Sequence, residues 1–284
     1  MSWLETRLGS GVPLVLPGIY DALSARIAAM EGAEAVYCGG FATCAAQHGL
    51  PDVGLLGLAE MAEAYRRIKA ACGDRALVAD GDAGHGGLLN IQRTVATFGA
   101  VGVAACHIED QVAPKRCGHL DGKSVVSIEE AEARVRAAVE IAATNGVAII
   151  ARTDAIAPLG FDEAIERANR FVMAGAVAAF VDAPQSLEQI KQIPARVRGP
   201  VLYNAASTGR SPLVSNTEAI RLGYSIVIHP IETLLAAATA VRDAIRTVLG
   251  RTTADQAVDF PEINEVLQTS QFISRELRLA AVRT

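Results

Sequence analysis

The chain has 284 residues, 51% of them hydrophobic, with 26 Lys and Arg against 31 Asp and Glu. That length is near the usual size of one (β/α)8 domain, and the apolar share is enough for one large core. A mildly acidic balance with no basic run or Arg/Lys stripe excludes a nucleic-acid partner, and apolar stretches cut short by Gly, Asp or Pro exclude a membrane span.

The start, MSWLETRLGSG, has early charges and no apolar h-region, so a cytoplasmic protein is expected. From there, short runs rich in Val, Ile and Ala alternate with helical patterns. In order the runs are LVLPG, AVYCGG, ALVADGD, VAACHIED, VAIIARTD, AAFVDAP, PVLYNA and YSIVIHP. Between them apolar residues recur at helical spacing, as over 22–30, 58–71, 127–144, 161–174 and 186–197. Ser127 with Glu130 three positions on predicts a capping box. Eight alternations without a hairpin signal predict an α/β protein, a parallel (β/α)8 TIM barrel over residues 1–250. The rival, an open doubly wound sheet, lacks a G-x-G-x-x-G or G-K-[ST] loop after the first run. A long helix is expected over 231–249. Residues 251–284 carry one more helical pattern, FPEINEVLQTSQFISREL, expected to pack on a neighbouring subunit.

In such a barrel the chemistry sits where strands end. Six consecutive runs end in polar groups: Asp80-Gly-Asp82, Glu109-Asp110, Arg152-Thr153-Asp154, Asp182, Asn204 and His229. Strand ends also meet water, but the repetition on otherwise apolar strands favours a shared site. Asp80 and Asp82 are two apart, so an extended segment turns both to one face. A pair of cap or turn residues is the competing reading. With Asp52 in the HGLPD segment and Glu109 on the next strand they form an oxygen-rich set that suits Mg²⁺ better than zinc. Asp80 is expected to bind directly, and Asp52, Asp82 and Glu109 through water.

The connection QVAPKRCGHLDGKSVV has the length of an active-site lid. Lys115, Cys117 and His119 alternate, so an extended backbone turns them to one side, and nearby cations stabilise a thiolate. Cys117 is therefore a candidate proton-transfer group or nucleophile. A Cys-x-His zinc half-site lacks a second pair, and an incidental loop cysteine is the bland alternative. The other cysteines, at 38, 44, 72 and 106, read as reduced, buried hydrophobes.

Over 18–249 the segments YCGG-F, GLPD, DGDAGHGG, IEDQ, PKRCGH, IARTDA, FVDAP and YNAASTGRSP resemble, in order, the motifs of the isocitrate lyase and phosphoenolpyruvate mutase superfamily. K-R-C-G-H looks like the lyase version of the loop, found in 2-methylisocitrate and 2-alkylmalate lyases. The resemblance implies a carbon–carbon lyase that needs Mg²⁺, with Mn²⁺ as a substitute. It would cleave a 2-substituted malate or methylisocitrate-like 2-hydroxy di- or tricarboxylate to an α-keto acid and a second carboxylate. Substrate contacts then fall to Gly39, the backbone of Gly40 and Phe41, Asp82, Arg152, Asp182 and Asn204. Cys117 would deliver the proton, tuned by Lys115 and His119, with Tyr37 helping to remove the hydroxyl proton. The resemblance also implies a last helix exchanged between subunits and a homotetramer of two such dimers. Three positions depart from the family: Gly39 in place of Ser, Asp182 in place of Glu, and 204–209, which lacks the Glu of N-M-T-E-F-G. Oxaloacetate hydrolysis or decarboxylation, a phosphonate P–C reaction and a non-catalytic dicarboxylate-binding barrel are the alternatives.

Overall fold

The computed structural model describes residues 1–118, 120, 122–207, 209, 211–253 and 257–281. All eight apolar runs form strands: β1 Leu14–Pro17, β2 Ala35–Cys38, β3 Ala76–Asp80, β4 Val103–Glu109, β5 Ala148–Thr153, β6 Ala178–Val181, β7 Val201–Asn204 and β8 Ile226–His229. Each pairs in parallel with its neighbour from β2 through β8, and β8 pairs with β1. The ring closes at Gly18, which bridges Tyr37, while the Ile19 N–H donates to the Tyr37 carbonyl at 2.8 Å. A Cβ on Gly18 would lie 2.2 Å from the His229 carbonyl oxygen, so this seam needs glycine. The fold is a (β/α)8 barrel.

Thirteen α-helical segments are found among the described residues: α1 Trp3–Gly9, α2 Ala22–Met30, α3 Gly40–Thr43, α4 Leu58–Cys72, α5 Leu88–Ala100, α6 Ile128–Ala142, α7 Ile156–Leu159, α8 Phe161–Met173, α9 Leu187–Arg196, α10 Asn216–Leu222, α11 Glu232–Val248, α12 Phe260–Val266 and α13 Thr269–Ala281. The spans expected from periodicity coincide with α2, α4, α6, α8, α9 and α11 to within a few residues. At the start of α6 only half of the capping box forms. Ser127 accepts the Glu130 N–H at 3.2 Å, but the Glu130 carboxylate turns to Arg134 at 2.7 Å.

Strand alternation divides the core. Inward residues such as Leu16, Tyr37, Val78, Ile150, Phe180, Leu202 and Ile228 form one cluster, into which Leu4 of α1 packs. Outward residues such as Val36, Leu77, Ala79 and Ile149 pack instead on Met61, Tyr65, Ile91, Val95 and Phe98 of the surrounding helices. Both faces of β2 through β8 are thereby largely buried, as a parallel sheet requires, whereas the outward Val15 of β1 is exposed.

Beyond the barrel, only Leu234 and Leu235 of α11 are buried, and Val241, Ile245 and Val248 stand exposed. The last helical pattern breaks at Gln268, which adopts φ 55, into α12 and α13. Within the chain, α12 lies over the mouth of its own barrel. There Phe260, Ile263 and Leu267 bury against Phe41, Leu234 and Leu235. Asp259 caps α12 by accepting the Glu262 N–H at 2.8 Å, and Arg242 pairs with Glu262 at 2.7 Å. Among the described residues no helix is long and apolar enough to cross a membrane.

Candidate active site

The strand ends carry the site. Arg152, the penultimate residue of β5, is buried and forms a two-pronged contact with Asp154 at 2.9 and 3.0 Å. It also stands 2.8 Å from Asp182 and 3.4 Å from Glu109. Burial works against its charge, but Asp154, Asp182 and Glu109 outweigh burial and hold it firmly protonated. Behind it, Asp110 accepts the Asp154 N–H at 2.9 Å, the Thr153 hydroxyl at 2.6 Å and Arg167 at 3.1 Å. A buried network of this kind fixes the direction of the guanidinium.

On β3, Asp80 accepts the Gly40 N–H and the Asp82 N–H, each at 2.9 Å, and lies 3.3 Å from His107. Burial opposes its ionisation, but His107, Lys115 and Arg152 together leave it well below the usual carboxylate range. Asp80 and Asp82 do converge, though not by strand pleat: Asp82 lies beyond β3 in the left-handed region, φ 47. A Cβ added to Gly40 would be 3.0 Å from Asp80, 3.2 Å from Asp82 and 3.3 Å from Lys115, so glycine lets α3 approach the carboxylates. The Lys115 ammonium bridges Asp52 and Asp82 at 2.6 Å each. Burial disfavours the charge on Lys115, but these carboxylates overcome it. Burial raises the proton affinity of Asp82.

No three His, Cys, Asp or Glu among the described residues form a ready metal shell. The donor chemistry nevertheless fits a hard cation. Among the described residues, the buried carboxylates of Asp52, Asp80, Asp82, Glu109, Asp154 and Asp182 outnumber the cations Lys115, Arg152 and Lys123 between them. Neither Glu109 oxygen has a hydrogen-bond partner among the described residues, and burial pushes this carboxyl well above its ordinary range. Excess buried negative charge is costly, and a divalent ion with its waters offsets it.

Cys117 donates its backbone N–H to the Asp52 carbonyl at 3.1 Å, and its side chain is buried beside Phe41, Ala206 and Phe260. A small chamber of ≈ 50 Å³ joins this residue to Tyr37, Gly39, Gly40, Phe41, Asp52, Asp80, Arg152, Asp182, Asn204 and Phe260. Asp82 and Lys115 line an adjoining cavity of ≈ 680 Å³, together with His85. Glu109 reaches the site through Arg152, and His119 lies outside the described residues. Asn204 donates to Asp182 at 3.1 Å.

The Tyr37 hydroxyl meets His107 Nε2 at 2.8 Å, and burial holds its proton far more tightly than usual. His107 and Phe260 were absent from the expected site. His107 precedes Glu109 by two on β4, so strand alternation alone would have turned it inward with Glu109. Phe260 had no such signal, because its position follows from the path of the extension. A third addition is Glu232 of α11, which accepts the Ser207 N–H at 2.8 Å and so brings a carboxylate to the segment where the family's Glu is missing.

The model of the family described as phosphoenolpyruvate phosphomutase matches residues 5–249. The 2,3-dimethylmalate lyase of Eubacterium barkeri is 39% identical over 89% of this chain and 89% of that protein. A 2-methylisocitrate lyase of Shewanella oneidensis is 37% identical over 85% of this chain and 82% of its own length. Among solved structures, oxaloacetate acetylhydrolase in complex with 3,3-difluorooxalacetate superposes with a TM-score of 0.83 at 34% identity, covering 98% of this chain and 96% of that one. The shared barrel, the family match across it and the lyases among these relatives agree: the chain belongs to the phosphoenolpyruvate mutase and isocitrate lyase superfamily, and it is a carbon–carbon lyase.

Proposed function

We propose that this lyase cleaves a 2-substituted malate, or a related methylisocitrate-like 2-hydroxycarboxylate, to an α-keto acid and a second carboxylate, with Mg²⁺ as its cofactor and Mn²⁺ as a substitute. The observation that carries the reading is the convergence of Arg152, Cys117, Asp80 and Asn204 on one small chamber. Asp80 is the residue suited to hold the ion directly, with Asp52, Asp82 and Glu109 holding its waters. When bound, the ion polarises the substrate hydroxyl and the adjacent carboxylate. Lys115 keeps Asp52 and Asp82 in place, and the hydroxyl proton passes into this carboxylate group. Arg152, aimed by Asp154, receives the carboxylate on which charge collects as the carbon–carbon bond breaks. The Cys117 thiol then gives its proton to the carbon left behind, completing the second product. Phe41 and Phe260 keep water from that carbon.

Replacing Cys117 by Ser tests the assignment. General acid catalysis contributes about 10²–10⁴-fold, so cleavage should fall by that order while substrate affinity stays within a few-fold. Unchanged turnover removes Cys117 from the mechanism. Hydrolysis of oxaloacetate on the same residues is the second reading, favoured by the likeness to oxaloacetate acetylhydrolase.

We also infer a cytoplasmic homotetramer built from dimers that exchange α11. Two exposed apolar surfaces support this: Val241, Ile245 and Val248 along α11, and Val15 of β1 with Leu23, Ile27 and Met30 of α2. A barrel strand with its outer face in water is unusual, and a helix of a second copy would cover it. Light scattering that gives a monomer mass would reject the assembly.

A further inference from the structure

The chamber has two unlike halves. Asp80, Arg152, Asp182 and Asn204 line one; Phe41, Ala206, Ile231 and Phe260 line the other. Its ≈ 50 Å³ is far below the roughly 300 Å³ at which small-molecule pockets begin, so a dicarboxylate enters only if a wall yields. The polar half is braced, because Arg152 is tied to Asp154 and Asp182 at the ends of hydrogen-bonded strands. The apolar half includes one residue supplied from beyond the barrel, which packs on Phe41 of α3 and on Leu234 and Leu235 of α11. Phe260 opens α12, a helix of 7 residues whose outer side faces water, with Val266 72% exposed.

We propose that Phe260 is a specificity-determining residue. Its ring, seated on Phe41 with centroids 5.1 Å apart, is the yielding wall against which the substrate's 2-substituent lies. The carboxylates of a 2-alkylmalate must face Arg152 and the ion-binding carboxylates, which leaves the alkyl group no apolar surface except this half. The C-terminal extension, and not the barrel, therefore sets the largest substituent accepted. This inference deepens the lyase reading and rests on it.

The test is a ladder of 2-methyl-, 2-propyl- and 2-pentylmalate, with kcat/KM and calorimetric Kd measured for the Mg²⁺-loaded wild type, Phe260→Ala, Phe260→Leu and Val266→Ala. One methylene in an apolar pocket changes discrimination by about 10–200-fold. Phe260→Ala should therefore raise the pentyl-to-methyl ratio of kcat/KM at least tenfold and lower that of Kd at least tenfold, Phe260→Leu should shift each less in the same direction, and Val266→Ala should leave both alone. An equal fall for all three compounds, or an unchanged ratio, overturns the proposal and reduces Phe260 to packing. If the wild type binds the ladder without cleaving it, the lyase reading fails while the Kd ratios still judge the wall. Absence of binding by every member overturns both.

Discussion

Gly118 offers the sharpest perturbation of the loop that carries Cys117. A Cβ at this position would stand 1.8 Å from Asp182 and 2.7 Å from Arg152, about 1.6 Å short of ordinary contact with the Asp182 carboxylate. Asp182 cannot swing aside cheaply, since Arg152 holds it at 2.8 Å and Asn204 at 3.1 Å. The loop is what moves in Gly118→Ala, and it carries the neighbouring Cys117 with it. A displacement of order 1 Å at a reacting group costs about 10²-fold in rate, whereas overpacking a site that can shift costs about 1–3 kcal/mol of stability. We expect kcat to fall about a hundredfold and Tm to drop by roughly 2–10 °C. Steady-state kinetics and a thermal melt on the same preparation separate the two effects. A variant with turnover within threefold of wild type would refute the seating of Gly118 against Asp182.

Tyr37→Phe removes one buried hydrogen bond to His107, worth about 0.5–1.5 kcal/mol, and should reduce kcat less than tenfold; a thousandfold loss would make the hydroxyl a chemical participant. None of the five cysteines forms a disulfide, and all five are buried. Burial raises the Cys38 and Cys106 thiols to about 12, so their protonated form favours the fold at neutral pH and that contribution fades only as pH climbs from the usual thiol range toward about 12. At pH 8 a thiol reagent should leave both unmodified in the folded protein and modify all five after denaturation, and mass spectrometry that finds either one labelled in the native state would contradict their burial.

The barrel was legible because each strand is a short apolar run and the last six end in a polar group, a pattern that the parallel ladder and the rim both demand. Asp80, Arg152, Asn204 and Cys117 were legible for the same reason: their positions follow from strand ends and from one loop. Asp82 reached the expected place by a route that strand alternation does not describe, through a left-handed turn that frees it to meet Lys115. Glu232 and Phe260 could not be read, because nothing local says where α11 begins its departure or that α12 folds back on its own barrel. Their contacts with Ser207 and Phe41 are long-range outcomes of packing.

The most direct measurement supplies 2-alkylmalates, 2-methylisocitrate and oxaloacetate to the enzyme with Mg²⁺ and after chelation, and identifies the products by NMR. An α-keto acid and a second carboxylate should form in equal amounts from a 2-substituted acid, with turnover abolished by chelation and restored by Mg²⁺. Oxalate and acetate from oxaloacetate alone, or pyruvate and CO₂, or cleavage that persists without the metal, would contradict the proposed reaction.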